Sequence, residues 1–154
     1  MSAFLKKQGI ACYLNAIAAI LGIAGLIAMI ISSSISSAYA LSSLPLLIFA
    51  AIAAIALIVI AIYAPNRWGN YDYISMFSRI GVIALFSFII GKTLNDRILL
   101  ISGLFSYNSG NTLGWSVFYT NVVAWGGFLA AILFLIIGLF LKSIREPKPV
   151  INEE

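Results

Sequence analysis

The chain has 154 residues, of which 62% are hydrophobic and only 9% are charged, and its formal net charge is +4. With a mean hydropathy of +1.08, a chain of this length has more apolar surface than a small water-soluble core can bury. This composition excludes a soluble globular protein and predicts an integral membrane protein with one domain.

Three apolar segments are long enough to cross a bilayer, whose core of about 30 Å requires roughly 20 helical residues. Residues 9–31, 46–63 and 117–141 contain no charged side chain. These runs are continuous and do not alternate with polar residues, which is typical of helices and not of membrane barrel strands. The sequence therefore predicts helical spans at these three places.

A fourth span has to be placed between residues 75 and 94. The uncharged run at residues 80–90 is about 16 Å long and cannot span alone. In a helix over residues 75–94, Arg79 and Lys92 lie about 20 Å apart, and their long side chains are expected to reach the headgroup layers on opposite sides. The resulting prediction is an all-α integral membrane protein with a bundle of four transmembrane helices.

An alternative third helix, centred on Gly91, would place Lys92, Asp96 and Arg97 inside the bilayer. Each central charge would then cost about 2.5 to 3.5 kcal/mol before pairing, so the span over residues 75–94 is favoured. Residues 95–116 then form the largest outer segment. Whether residues 98–105 extend the third helix or lie on the outer membrane surface stays open at this point.

The basic residues predict the orientation of the bundle. Four spans place both termini on one side, and seven of the nine Lys and Arg residues fall on that side. This bias indicates cytoplasmic N- and C-termini in a multi-pass protein of the cell membrane, and it gives no reason to expect nucleic-acid binding. Pro65, Gly69 and Asn70 are predicted turn residues of the inner loop, and residues 142–154 are predicted to be a disordered cytoplasmic tail.

Few residues are available for catalysis or metal binding. The chain has no His, one cysteine at Cys12, and only Asp72 and Asp96 as acids before the tail. A Ser-His-Asp triad is therefore impossible, and no group of residues has the donor types of a zinc site. We expect no catalytic residue, no metal and no cofactor.

One face of the first helix carries small residues. Asn15, Ala18, Gly22 and Gly25 follow at spacings of three and four, which allows close approach of another helix and an interhelical hydrogen bond from the amide. The face either packs within the bundle, which is the expected use, or docks a second subunit.

Lys92, Asp96 and Arg97 form the candidate polar or ion site at the outer boundary. One interpretation makes them a site for an ion or solute, since ionisable residues within membrane segments are often functional. The favoured interpretation makes them an interfacial anchor that ends the third span. Asn121 and Thr120 are candidates to complete a polar cluster there.

Several segments resemble small uncharacterised four-span proteins of Firmicutes that are often encoded beside carbohydrate-uptake genes. The similar segments are GIACYLNAIAAILGIAGLIAMI near the start, ISGLF, SYNSGNT and the closing LKSIRE. This resemblance implies an accessory membrane role and transfers no catalytic residue.

Two functions fit the sequence. The first is a non-catalytic membrane protein that acts by assembly, as a homo-oligomer or as a small accessory subunit of a membrane complex. The alternative is a small oligomeric transporter or channel for an ion or small solute. The expected partners are the lipid bilayer and either a protein partner or further copies of the chain.

Overall fold

A computed structural model of the protein describes residues 9–68 and 73–144. Its elements are α1 (Ile10–Ser34), a short 3-10 helix (Ser37–Tyr39), α2 (Leu44–Trp68), α3 (Tyr73–Ser106) and α4 (Thr112–Leu139). All four α-helices are long and apolar enough to cross a membrane. The chain is thus an all-α integral membrane protein, as predicted. Most of the predicted disordered tail, from residue 145 onward, lies outside the described residues, as do Gly69 and Asn70.

The four helices form a bundle in which each packs against two neighbours. The largest contacts are those of α1 with α4 and of α2 with α3, and the α1–α2 and α3–α4 contacts close the ring. The backbone N–H of Gly9 donates to the carbonyl of Ser143 at 2.8 Å, so α1 begins beside the end of α4. We call this end of the bundle the inner end and the opposite one the outer end, following the predicted orientation.

The core is built from side chains that all four helices turn inward. Phe86 and Phe128 meet at its centre with ring centroids 5.1 Å apart, and both are fully buried, as are Met29 and Ile58. The opposite helix faces expose large apolar side chains such as Phe49, which is 71% exposed. These outward faces are the surfaces that contact lipid.

Pro65 lies inside α2 and not in a turn, so the prediction for this residue was wrong. A proline has no N–H to give to the carbonyl four residues earlier, which here belongs to Ala61. The hydroxyl of Ser75 on α3 donates to that carbonyl at 3.0 Å. A side chain from the neighbouring helix therefore replaces the missing hydrogen bond and allows α2 to continue to Trp68.

The predicted outer segment is mostly helical. α3 continues without a break to Ser106, so residues 98–105 extend the third helix. α4 begins at Thr112, before the predicted start of the fourth span, because Asn111 caps it by accepting a hydrogen bond from the N–H of Gly114 at 2.9 Å. We call residues 97–118, which form the end of α3, the connection and the start of α4, the outer hairpin.

Candidate functional site

Arg97 is buried where the outer ends of three helices meet. Its side chain is only 3% exposed. The guanidinium donates through Nη1 to the carbonyl of Tyr39 and lies 3.5 Å through Nη2 from the hydroxyl of Ser32. The same Ser32 hydroxyl donates to the carbonyl of Val117 at 3.2 Å. Arg97 therefore links α3 to α1, to the 3-10 helix and, through Ser32, to α4.

This arrangement contradicts the interpretation of Arg97 as an interfacial anchor. A snorkelling arginine extends along the helix surface to reach headgroups and water. Arg97 instead turns inward, because polar groups of α1 and the following connection offer acceptors inside the bundle. The polar-site interpretation is the one that its placement favours.

Asp96 and Lys92 form an ion pair beside this arginine. The Nζ of Lys92 lies 2.9 Å from one carboxylate oxygen of Asp96, and the hydroxyl of Ser43 donates to the other oxygen at 2.7 Å. Both oxygens of the carboxylate are thus occupied. The three residues singled out in the sequence lie together, but Asp96 pairs with Lys92 on its own helix while Arg97 takes backbone and hydroxyl acceptors.

A cleft opens between the α1–α2 connection and the end of α3. Its volume is about 350 Å³. Its lining residues come from the 3-10 helix and the residue after it, from Asp96 and from the outer hairpin, namely Ala38, Tyr39, Ala40, Asp96, Arg97, Leu99, Leu100, Gly103, Leu104, Tyr107 and Asn108. The cleft therefore has the charged residues Asp96 and Arg97 at its base, and most of its lining surface is polar.

Two buried polar groups near this end lack partners within residues 9–68 and 73–144. They are the Nε of Arg97 and the side-chain amide of Asn121, both its nitrogen and its oxygen. Asn121 is 1% exposed and follows Val117 by one helical turn on α4. Thr120 does not bond to Asn121, because its hydroxyl donates to the carbonyl of Ser116 at 2.8 Å. Buried groups of this kind are normally satisfied by water or a ligand.

A second buried arginine stands at the inner end. Arg79 is 4% exposed and donates to the carbonyl of Gly138 at 2.8 Å and to the hydroxyl of Ser143 at 2.7 Å. When the amide of Asn15 is oriented with its oxygen toward the guanidinium, that oxygen accepts from Nη2 at 3.2 Å and from Nε at 3.3 Å. The prediction that Arg79 reaches the inner headgroups was wrong, because α1 and α4 supply acceptors within the bundle.

The small-residue face of α1 packs inside the bundle. Asn15, Ala18, Gly22 and Gly25 are all buried. A Cβ added to Gly25 would lie 3.1 Å from the carbonyl oxygen of Ala124, and one added to Gly22 would lie 2.6 Å from the ring of Phe86. Since α4 and Phe86 already fill this face, a second chain has no access to it.

Several residues of the outer site were missed in the sequence. Ser32, Tyr39 and Ser43 belong to a serine-rich stretch that has the composition of an ordinary loop. Tyr39 is also tied to the hairpin, because Asn111 donates to its hydroxyl at 2.6 Å. No local pattern marks these contacts, which join residues more than fifty positions apart.

Comparisons of this chain with protein-family models, with curated proteins and with solved structures find no match. The resemblance to small four-span proteins therefore stays a prediction.

Proposed function

We propose that the protein is a non-catalytic integral protein of the cell membrane that acts by assembly, as a homo-oligomer or as a small accessory subunit of a membrane complex. The observation that carries this proposal is the outer hairpin, which exposes the apolar side chains of Ile98 and Phe105. From the length of α3 we infer that these side chains lie beyond the bilayer core.

The distance between the two buried arginines can be compared with the thickness of a bilayer core. Arg79 and Arg97 are separated by about 27 Å along α3, close to the thickness of a bilayer core of about 30 Å. Ser43, the residue before α2, hydrogen bonds to Asp96, so α2 begins at that level. The last part of α3, residues 97–106, continues for about 15 Å past it.

The hairpin carries apolar and aromatic side chains over this distance. Ile98 is 61% exposed and Phe105 is 66% exposed. Phe105 packs edge to face on Trp115 with centroids 5.1 Å apart, and Trp115 stacks on Tyr119 at 5.7 Å. Apolar surface that neither lipid nor the protein's own core covers is typical of a contact with another protein.

The packing of the bundle favours a structural role over transport through one chain. Among the described residues, the middle of the bundle is filled by fully buried Phe86, Phe128, Met29 and Ile58. In the alternative function, a small oligomeric transporter or channel, the ion or solute would have to pass between chains. The assembly proposal needs no such path.

Cysteine crosslinking in native membranes tests the proposal. In a Cys12→Ala background, Phe105→Cys places a thiol on the outer hairpin, and Phe77→Cys places one at a similarly exposed position of the inner half of α3, where Phe77 is 67% exposed. We expect mild oxidation to form a disulfide between the Phe105→Cys thiols of two chains, or between Phe105→Cys and a thiol of a partner, while Phe77→Cys stays unlinked.

Two results would count against assembly through this surface. One is the absence of any crosslinked product for Phe105→Cys across increasing oxidant. The other is equal crosslinking of Phe77→Cys, which would indicate random collision in the membrane.

A further inference from the structure

We infer that Arg97 is a conformational switch with two positions. In this structure it holds the carbonyl of Tyr39, and in the second position its Nε donates to the side chain of Asn121 and the cleft at the outer end opens. The inference concerns motion within one chain and does not depend on assembly. Unpartnered buried atoms on two neighbouring helices carry it.

Three buried polar atoms have no hydrogen-bond partner within residues 9–68 and 73–144. Arg97 contributes the donor Nε, and Asn121 contributes the donor Nδ2 and the acceptor Oδ1. Unpaired groups of this kind cost free energy, and water commonly satisfies them. Here protein atoms enclose all three, so a water molecule has no room beside them. The partner of each atom therefore has to come from the protein itself.

The packing of α3 against α4 places Arg97 and Asn121 at the same level. The indole nitrogen of Trp125 donates to the hydroxyl of Thr93 at 2.8 Å. One helical turn toward the outer end leads from Thr93 to Arg97 on α3 and from Trp125 to Asn121 on α4. Both side chains are buried, at 3% and 1% exposure. An unpaired donor and an unpaired acceptor thus lie on adjoining helices at one level.

Ser32 of α1 brings the guanidinium toward the same part of α4. Its hydroxyl lies 3.5 Å from Nη2 of Arg97 and donates to the carbonyl of Val117 at 3.2 Å. Asn121 follows Val117 by one helical turn. A change of rotamer at Arg97 can therefore bring Nε to the amide oxygen of Asn121.

The inner end of the bundle shows the pairing that this second position requires. Arg79 is also a buried arginine of α3, and it meets the buried amide of Asn15 on α1. With that amide oriented oxygen-first, its oxygen accepts from Nη2 at 3.2 Å and from Nε at 3.3 Å. An arginine and an asparagine from neighbouring helices thus satisfy each other inside this bundle.

The position of Arg97 determines how the wall of the cleft is held. Nη1 of Arg97 donates to the carbonyl of Tyr39, and Tyr39 lines the cleft together with Ala38 and Ala40. When Arg97 turns to Asn121, this carbonyl is released. The bond from Asn111 to the hydroxyl of Tyr39, at 2.6 Å, then keeps the 3-10 helix at the hairpin while its backbone moves outward. The cleft of about 350 Å³ widens as a result.

Double electron–electron resonance between two spin labels tests the inference on the full chain in nanodiscs. In a Cys12→Ala background, Ser37→Cys carries a label on the 3-10 helix and Ser102→Cys carries one on α3, and both positions are exposed. Labelled chains are diluted with unlabelled ones, so that each distance lies within one molecule. We expect a shorter population with the cleft closed and a longer one with the cleft open.

Three variants connect these populations to Asn121. Asn121→Asp offers Arg97 a charged acceptor and should raise the ratio of longer to shorter distances at least about fivefold. Asn121→Leu removes the acceptor and should lose the longer population. Asn15→Asp is the control, because it makes the same change of charge opposite Arg79 and should leave the distances unaltered.

The same distance distribution in the wild-type chain and in Asn121→Leu would overturn the inference, whether or not Asn121→Asp folds. A shift in Asn15→Asp as large as that in Asn121→Asp would also overturn it, because added charge alone would then open the cleft. Neither result affects crosslinking at Phe105, so the switch and the assembly proposal fail separately.

Discussion

Burial of an arginine inside a membrane bundle requires that the protein replace the water and headgroups that the side chain gives up. Arg79 meets this requirement with a carbonyl of α4, the hydroxyl of Ser143 and the amide of Asn15. These contacts come from α1, from α4 and from the residues just after α4. Arg79 thereby fixes the relative positions of three helices at the inner end.

Arg79→Ala is expected to lower the free energy of unfolding by roughly 2 to 4 kcal/mol. Two charge-assisted hydrogen bonds are lost, and the buried amide oxygen of Asn15 is left without a donor. Arg67→Ala is the control, since Arg67 is exposed in the last turn of α2 and should change stability by no more than about 0.5 kcal/mol. Equilibrium unfolding in detergent micelles measures both. Equal effects of the two substitutions would show that Arg79 has no special role.

At the scale of the helices, α1 and α4 approach each other closely at Gly25 and Gly127. A Cβ on Gly127 would lie 3.0 Å from the carbonyl oxygen of Leu21 and 3.1 Å from the Cα of Gly25. Both are backbone atoms, which cannot rotate away as a side chain can. A Cβ on the adjacent Gly126 would meet no atom within 4 Å.

Gly127→Ala is therefore expected to destabilise the bundle by about 1 to 3 kcal/mol through overpacking. Gly126→Ala should be neutral or slightly stabilising, because alanine is the better helix former. Thermal unfolding of the two purified variants, followed by circular dichroism, makes the comparison. An unchanged midpoint for Gly127→Ala would show that the helices separate without cost.

The contact of Ser75 with the carbonyl of Ala61 gives a prediction for the α2–α3 pair. Ser75→Ala should cost about 1 to 2 kcal/mol, because it leaves that carbonyl buried without a donor. In a Pro65→Ala background the new backbone N–H can bond to the same carbonyl, so Ser75→Ala should cost much less. A double-mutant cycle of unfolding free energies measures this coupling. Equal costs in the two backgrounds would refute the exchange of hydrogen bonds.

The sequence predicts the helices better than their ends. The long apolar runs predict the number, order and approximate place of the spans, because a bilayer requires about 20 apolar residues wherever a helix crosses it. Both α2 and α3 are longer than the predicted spans. Pro65 is kept in a helix by Ser75 on another helix, and the charges at Lys92 and Asp96 neutralise each other across one turn of α3.

The buried arginines escaped prediction for a related reason. A charge at the edge of an apolar run is ordinarily expected to extend toward water. Whether it turns inward depends on acceptors that distant residues supply, as Ser32 and Tyr39 do for Arg97. The cleft between the α1–α2 connection and the outer hairpin arises from the same long-range contacts, so the sequence gives the residues of the candidate site but not its shape.

At the scale of the whole molecule, we propose that the bundle has two parts with different surroundings. Between the levels of Arg79 and Arg97 its outward faces are apolar, and lipid covers them. Beyond Arg97, the outer hairpin continues with exposed Ile98 and Phe105. The proposal that the protein acts by assembly rests on this second part.

The measurement that tests this most directly is the mass of the protein extracted from its membrane into polymer nanodiscs, compared between the wild-type chain and Phe105→Ala. We expect the wild type to have a mass greater than one chain of 16.6 kDa, from further copies or a co-purifying partner, and Phe105→Ala to lose that excess while Phe77→Ala keeps it. A wild-type protein that is a lone single chain across concentrations would contradict the account.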